Sequence, residues 1–214
     1  MNQPWPDGGS ELSAAEIAAL DDRWAACWTP VEVARRLAGV ATPWYVAAGW
    51  ALDLFRGGAQ TRKHGDVEIA IPAADFPEVR DRFPGYVFDA VGDGQIWENA
   101  APDALAATHQ TWIRDPHTGG YLLDVFREPH DGQTWICRHD DALRLPYSEI
   151  ILRTPDGIPF LAPELVLLFK AKHVRAKDQR DFDETVPHLT PVQRRRLAEL
   201  VARVYPEHRW LSRL

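Results

Sequence analysis

Between Asp66 and Ile71 the chain reads Asp-Val-Glu-Ile-Ala-Ile, with polar and apolar side chains nearly alternating. In an extended segment successive side chains point to opposite faces. Val67, Ile69 and Ile71 therefore share one side, which predicts a strand buried against a core, while Asp66, Glu68 and Ala70 share the other. That second side sets two carboxylates next to one another, an arrangement that a hard divalent cation holds together. Taken alone, Asp-x-Glu is more often a solvated strand face. Arg62-Lys-His64, just ahead of it, changes the balance: these basic groups suit ordinary ion pairing but also fit around a triphosphate. Further upstream, Trp44–Ala48 is short, apolar and β-prone, Gly49 breaks it, and Trp50–Phe55 reads as a helix closed by Gly57-Gly58. Such a joint, Ala48-Gly49-Trp50, offers unpaired N–H groups and the positive end of a helix dipole to a phosphate, although a lone glycine there is most often just a turn. The two features together suggest metal-assisted chemistry on a nucleotide phosphate.

A third acid, Asp124, lies inside the apolar run Tyr121-Leu-Leu-Asp-Val-Phe126. An acid in such a strand is unfavourable without a partner. A metal ion or a hydroxyl to be deprotonated would supply one; so would an outward orientation, or Arg127. If Asp124 meets Asp66 and Glu68, two of the acids can bridge metal ions and the third can act as general base or also ligate. Lys170, beside the apolar run of Leu165–Phe169, is placed to reach inward to phosphate. The other basic groups between Lys170 and Asp181 read as a solvated face, and Asp178 reads as the N-cap of the next helix.

Composition bounds the remaining classes. A chain of 214 residues, 45% hydrophobic and 26% charged, is an ordinary globular protein long enough to bury a core. A net charge of −7 argues against a nonspecific nucleic-acid binder. Cys27 and Cys137 form no CxxC motif or disulfide framework, the histidines lack HExxH spacing, and neither a Walker A sequence nor a nucleophile elbow is present. The N-terminal stretch lacks the basic and apolar regions of a signal peptide, and no apolar run is long enough to span a bilayer, so a cytoplasmic location without a membrane is expected. The nine tryptophans read chiefly as core and cleft walls. Residues 1–10 read as a flexible leader. Glu11–Trp28 shows helical spacing, with Leu12, Ile17, Leu20, Trp24 and Cys27 inward. Thr29-Pro-Val-Glu32 opens a second helix with a capping box, carrying Val31, Val33, Ala34 and Leu37. Residues 73–83 read as a helix; 85–90, 94–98, 109–114, 121–127 and 133–138 as strands; 142–161 as short strands and turns. From Pro163 the chain turns helical, over 164–173, 178–186 and 191–204. This gives an α+β protein with N-terminal helices at 1–40, a core at 41–161 and a C-terminal helical region at 162–214.

Val46-Ala-Ala-Gly-Trp-Ala-Leu-Asp53 followed by Arg62-Lys-His-Gly-Asp-Val-Glu68 resembles the core of the nucleotidyltransferase superfamily, in the branch of the aminoglycoside 2''-adenylyltransferases and lincosamide nucleotidyltransferases. Leu123-Asp124 resembles that family's third acidic strand. Pro163–Lys170 and Lys177-Asp178-x-x-Asp181 resemble its helical part, so the likeness spans roughly residues 40–185. It implies a mixed sheet with flanking helices, two Mg²⁺ ions, and transfer of a nucleoside monophosphate from ATP or another nucleoside triphosphate to a hydroxyl of a small acceptor, such as an antibiotic. It makes Asp66 and Glu68 metal ligands and Asp124 the base. Gly49 becomes the turn against the triphosphate, and Arg62 and Lys170 become phosphate contacts beside Trp50 and His64. The family's Gly-Gly is Ala48-Gly49 here, and the second ligand is Glu rather than Asp. Two other functions stay open: a binding protein that kept the fold without turnover, and nucleotide transfer to protein or RNA.

Overall fold

A computed structural model describes residues 5–214. The chain forms two compact units, each made of two stretches: residues up to Trp44 with His64–His130, and Tyr45–Lys63 with Asp131–Leu214.

The first unit is built on a mixed sheet. Its strands lie in the order Ser10–Glu11, Gln95–Trp97, Val87–Gly92, Gln110–Arg114, Tyr121–Glu128 and Glu68–Pro72. The last two run parallel and the other neighbours antiparallel. Val67, Ile69 and Ile71 are fully buried, as their alternation predicts, and Ala70 is buried too. Tyr121–Val125 is buried on both faces, as befits a strand with neighbours on either side. Helices Ala14–Arg23 and Pro30–Arg36 each open with a capping box, Ser13 with Glu16 and Thr29 with Glu32. Trp24, after the first helix, packs on Trp112 and Tyr121 of the sheet at ring separations of 5.6 and 5.1 Å.

Several local expectations need correction here. Ile17 is 57% exposed, since only the C-terminal end of its helix, through Leu20 and Trp24, meets the apolar cluster. Val31 is 55% exposed because the inward line of its helix runs through Pro30, Val33 and Leu37, three and four residues apart. The segment expected as one helix over 73–83 is a 3₁₀ turn, Ala73–Asp75, followed by the short helix Phe76–Arg80, whose Pro77 lacks the N–H needed to continue a regular ladder back into the turn. Of the expected leader, residues 1–4 lie outside the described part. The rest is anchored: Trp97 Nε1 donates to the Pro6 carbonyl at 3.1 Å, and Ser10 pairs with Ile96.

In the second unit, Tyr45–Val46 pairs in parallel with Pro159–Leu161, which pairs antiparallel with Ile151–Arg153. Strands Thr134–Cys137 and Asp140–Pro146 form a hairpin. Helices Ala48–Phe55, Pro163–Lys170, Ala176–Thr185 and Pro191–Val204 supply most of the core. Pro163–Leu168 is buried without interruption, and Phe182 stacks on Trp210 at 4.1 Å. The helix expected to start at Asp178 starts at Ala176. Arg175 is its N-cap and Asp178 its third residue, where the carboxylate accepts the Arg175 N–H at 3.1 Å. An acid serves a helix start from either position, which is why sequence spacing misplaced it. The fold is α+β, as expected. Among the described residues no helix is long and apolar enough to cross a membrane.

Candidate active site

The register of the parallel strands brings the three acids together. Glu68 lies opposite Asp124, and the Asp124 N–H donates to the Val67 carbonyl at 3.0 Å. Asp66 sits one residue beyond that carbonyl, on the same side as Glu68. One carboxylate oxygen from each of Asp66, Glu68 and Asp124 lies within 4.8 Å of the others, the one such grouping among the described residues. Asp66 and Glu68 are half-buried, and Asp124 is 2% exposed.

The environment of Asp124 decides what this cluster can do. Gln110 Nε2 donates to Asp124 Oδ2 at 2.5 Å, and Oδ1 is buried with no hydrogen-bond partner. Arg127, a possible partner on sequence grounds, is engaged elsewhere: it donates to Thr111 Oγ1 at 2.9 Å, to Thr108 Oγ1 at 2.6 Å and to the Leu105 carbonyl. Three residues along a strand, it emerges on the opposite face. Burial pushes the Asp124 carboxyl well above the usual carboxylate range, and the charges of Glu68 and Asp66 push the same way, against the polar side chains of Gln110 and Trp112. Another buried acid of the same unit, Asp89, is treated quite differently. It receives Arg114 through two bonds of 2.6 and 3.0 Å and the Asn99 N–H at 2.8 Å. An orphaned buried carboxylate oxygen beside two further carboxylates fits a divalent cation: the donors are hard oxygens, and a cation would satisfy Oδ1 and relieve the mutual repulsion.

The other expected site residues belong to the second unit, except His64. The left-handed residue at the strand–helix joint is Ala48, with φ +48°, rather than Gly49. Gly49 and Trp50 lie within helix Ala48–Phe55, whose N-cap, Ala47, makes no side-chain cap. Arg62 and Lys170 do meet, on a shared carboxylate. Arg62 grips Asp181 through bonds of 2.9 and 3.0 Å, and Lys170 Nζ lies 2.9 Å from Asp181 and 3.1 Å from Asp178. Burial works to raise both carboxyls, but Arg62 and Lys170 at Asp181, and Arg175 and Lys170 at Asp178, outweigh it and hold them below the ordinary range. Sequence reasoning missed Gln110 and Asp181 as members of these networks. Gln110 sits two residues before Trp112, which pairs with Asp124, so the strand register would have found it; Asp181 carried a signal as the acid one helical turn after Asp178.

Residues 31–101 match the family described as Aminoglycoside-2''-adenylyltransferase, a stretch that includes Asp66 and Glu68. No curated protein matches in sequence. Solved structures similar to this chain include the lincosamide antibiotic adenylyltransferase LnuA in its lincomycin-bound form, at 16% identity and a TM-score of 0.48, covering 82% of this chain and 98% of that one. ANT(2'')-Ia, described as an antibiotic-resistance factor, is similar at 15% identity and a TM-score of 0.44, covering 81% and 80%. Its complex with adenylyl-2''-tobramycin gives 15% identity and a TM-score of 0.43, covering 81% and 85%. The resemblance to the aminoglycoside and lincosamide branch is thus met by an independent match over the paired-acid segment.

Proposed function

We propose that the protein is a Mg²⁺-dependent nucleotidyltransferase, moving a nucleoside monophosphate, AMP in the first instance, from a nucleoside triphosphate to a hydroxyl of a small acceptor such as an aminoglycoside-like antibiotic. The observation that carries this reading is the unpartnered, buried Asp124 Oδ1 beside Glu68 and Asp66. The family match over residues 31–101 supports the same chemistry.

Asp66 and Glu68, with Asp124, would hold the cation. When bound, it supplies charge neutralisation at the phosphate oxygens. Asp124 also suits the base. It borders the site the cation would occupy, and the acceptor hydroxyl must lose its proton as it attacks. In the step, a bond forms between the hydroxyl oxygen and the α-phosphorus, the bond to the bridging oxygen breaks, pyrophosphate leaves with that electron pair, and the proton passes to Asp124. Gln110, fixed on Asp124 Oδ2, orients the carboxylate. Phosphate contact, as the resemblance implies, is assigned to the backbone at Gly49 and Trp50 and to the side chains of Arg62, His64 and Lys170.

The test incubates the protein with Mg²⁺, labelled nucleoside triphosphates and a panel of aminoglycosides, lincosamides and macromolecules. Label should move to a small acceptor and stay unmoved in Asp66→Asn and Asp124→Asn, with losses of at least about 10²-fold. Tight nucleotide binding without transfer to any acceptor contradicts the enzyme and favours a binding protein. The Cβ of Ala48, at a left-handed joint where the family carries glycine, is the observation on that side.

A further inference from the structure

Asp124 Oδ1 and Trp112 Nε1, on neighbouring strands of the first unit, are both buried without a hydrogen-bond partner among the described residues. An ionised carboxylate only accepts, and an indole N–H only donates. Trp112 lies directly opposite Asp124 where Gln110–Arg114 pairs with Tyr121–Glu128, so the two side chains stand on one face of the sheet. Gln110, two residues before Trp112, shares that face and donates to Asp124 Oδ2 at 2.5 Å. One strand thus brings two donors to one carboxylate, an amide on Oδ2 and an indole N–H for Oδ1. Both side chains oppose the burial that raises the Asp124 carboxyl, as donors directed at it do.

The indole is held in place by rings. Trp24 meets it edge-on, with centroids 5.6 Å apart at 83°, and Tyr121 does so at 4.8 Å and 62°. Trp24 and Tyr121 pack on each other at 5.1 Å, and both are buried. Edge-on contacts of this kind fix a ring's orientation as well as its burial. Trp24 follows helix Ala14–Arg23, so a segment outside the matched residues 31–101 forms part of the wall beside the acids. Packing alone is served by a phenylalanine ring, whereas an indole N–H buried without an acceptor is unfavourable. The competing acceptor is the Tyr121 hydroxyl, also buried without a partner. Asp124 is the stronger of the two because an ionised acceptor makes the stronger bond.

We infer that Trp112 is a positioning residue for Asp124: its N–H takes one lone pair of Oδ1 and leaves the other to the cation, while Gln110 fixes Oδ2. The inference rests on the reading of Asp66, Glu68 and Asp124 as a cation site. Carboxylates that ligate metals are themselves held by hydrogen bonds, and loss of such a bond weakens metal binding by roughly 10–100-fold. The test uses the ¹⁵N-labelled full chain, in which the Trp112 indole resonance, one of nine, is assigned by its absence from Trp112→Phe. That resonance should move upfield in Asp124→Asn, where a neutral acceptor replaces a charged one, and stay in place in Tyr121→Phe, which keeps the ring. Mn²⁺ binding should weaken about tenfold in Trp112→Phe, with thermal unfolding showing that the variant folds. An indole resonance that shifts in neither Asp124→Asn nor Tyr121→Phe, or only in the latter, overturns the inference. So does equal Mn²⁺ affinity in Trp112→Phe and the parent. If the parent itself binds no Mn²⁺, the cation reading fails, and the resonance alone decides whether the indole holds Asp124.

Discussion

Asp89 and Asp124 are both buried acids in the first unit, and the contrast between them separates structural use of a carboxylate from chemical use. Asp89 is fully neutralised by a bidentate arginine, whereas Asp124 has one amide and an orphaned oxygen. Because the folded Asp124 carboxyl titrates above its unfolded value, the folded state holds a proton that the unfolded state releases. The stability it contributes is fully present below the ordinary carboxylate pKa and is lost as the pH rises through the raised value. Asp124→Asn should therefore leave the metal-free protein more stable at neutral pH, by about 1 kcal/mol in urea unfolding, and flatten that fall; a less stable variant would contradict the assignment. Ala48 makes a second case. A left-handed alanine is disfavoured by roughly 1–2 kcal/mol, part of which glycine returns as unfolded-state entropy, so Ala48→Gly should stabilise the fold by about 0.5–1 kcal/mol. Destabilisation would show that the methyl group makes a contact that outweighs its strain. Much at this scale was legible. Period-two alternation fixed the sides of Asp66 and Glu68, and apolar neighbours marked Asp124 as buried. The position of the left-handed residue was not legible, because Gly49 is the residue that intrinsic preference selects for it.

Among the elements, the network joining Arg62, Asp181, Lys170, Asp178 and Arg175 ties helices Pro163–Lys170 and Ala176–Thr185 to the segment after helix Ala48–Phe55. Removing one member leaves buried charge unmatched, so Asp181→Asn should destabilise the protein by about 3 kcal/mol at pH 7. The sign of its pH dependence is opposite to that of Asp124. Asp178 and Asp181 titrate below their unfolded values, so their contribution is present above the ordinary carboxylate pKa and is lost as the pH falls through the lowered ones. Acid denaturation of Asp181→Asn should accordingly be shallower than that of the parent; an equal slope would remove the network from the account. Sequence periodicity found these helices and placed Pro191–Val204 as it is observed; in the structure, Thr190 and Gln193 form a capping box at its start, with Pro191 as the first helical residue. It missed the pairing of Lys170 with acids because ion pairs between elements leave no periodic trace.

For the molecule as a whole, each compact unit combines two separate stretches, and the strand–helix pair Tyr45–Phe55 groups with the C-terminal stretch. Composition along the chain has no signal for such an exchange. What connects the levels is a short path from alternation, through strand register, to a carboxylate oxygen without a partner. Its most direct test is Mn²⁺ binding, followed by electron paramagnetic resonance with a non-hydrolysable ATP analogue present, in the parent protein and in Asp124→Asn. The account predicts saturable binding in the parent, weakened by about 10²-fold or more in the variant, as loss of a metal ligand requires. Equal Mn²⁺ affinity in the two proteins would contradict it.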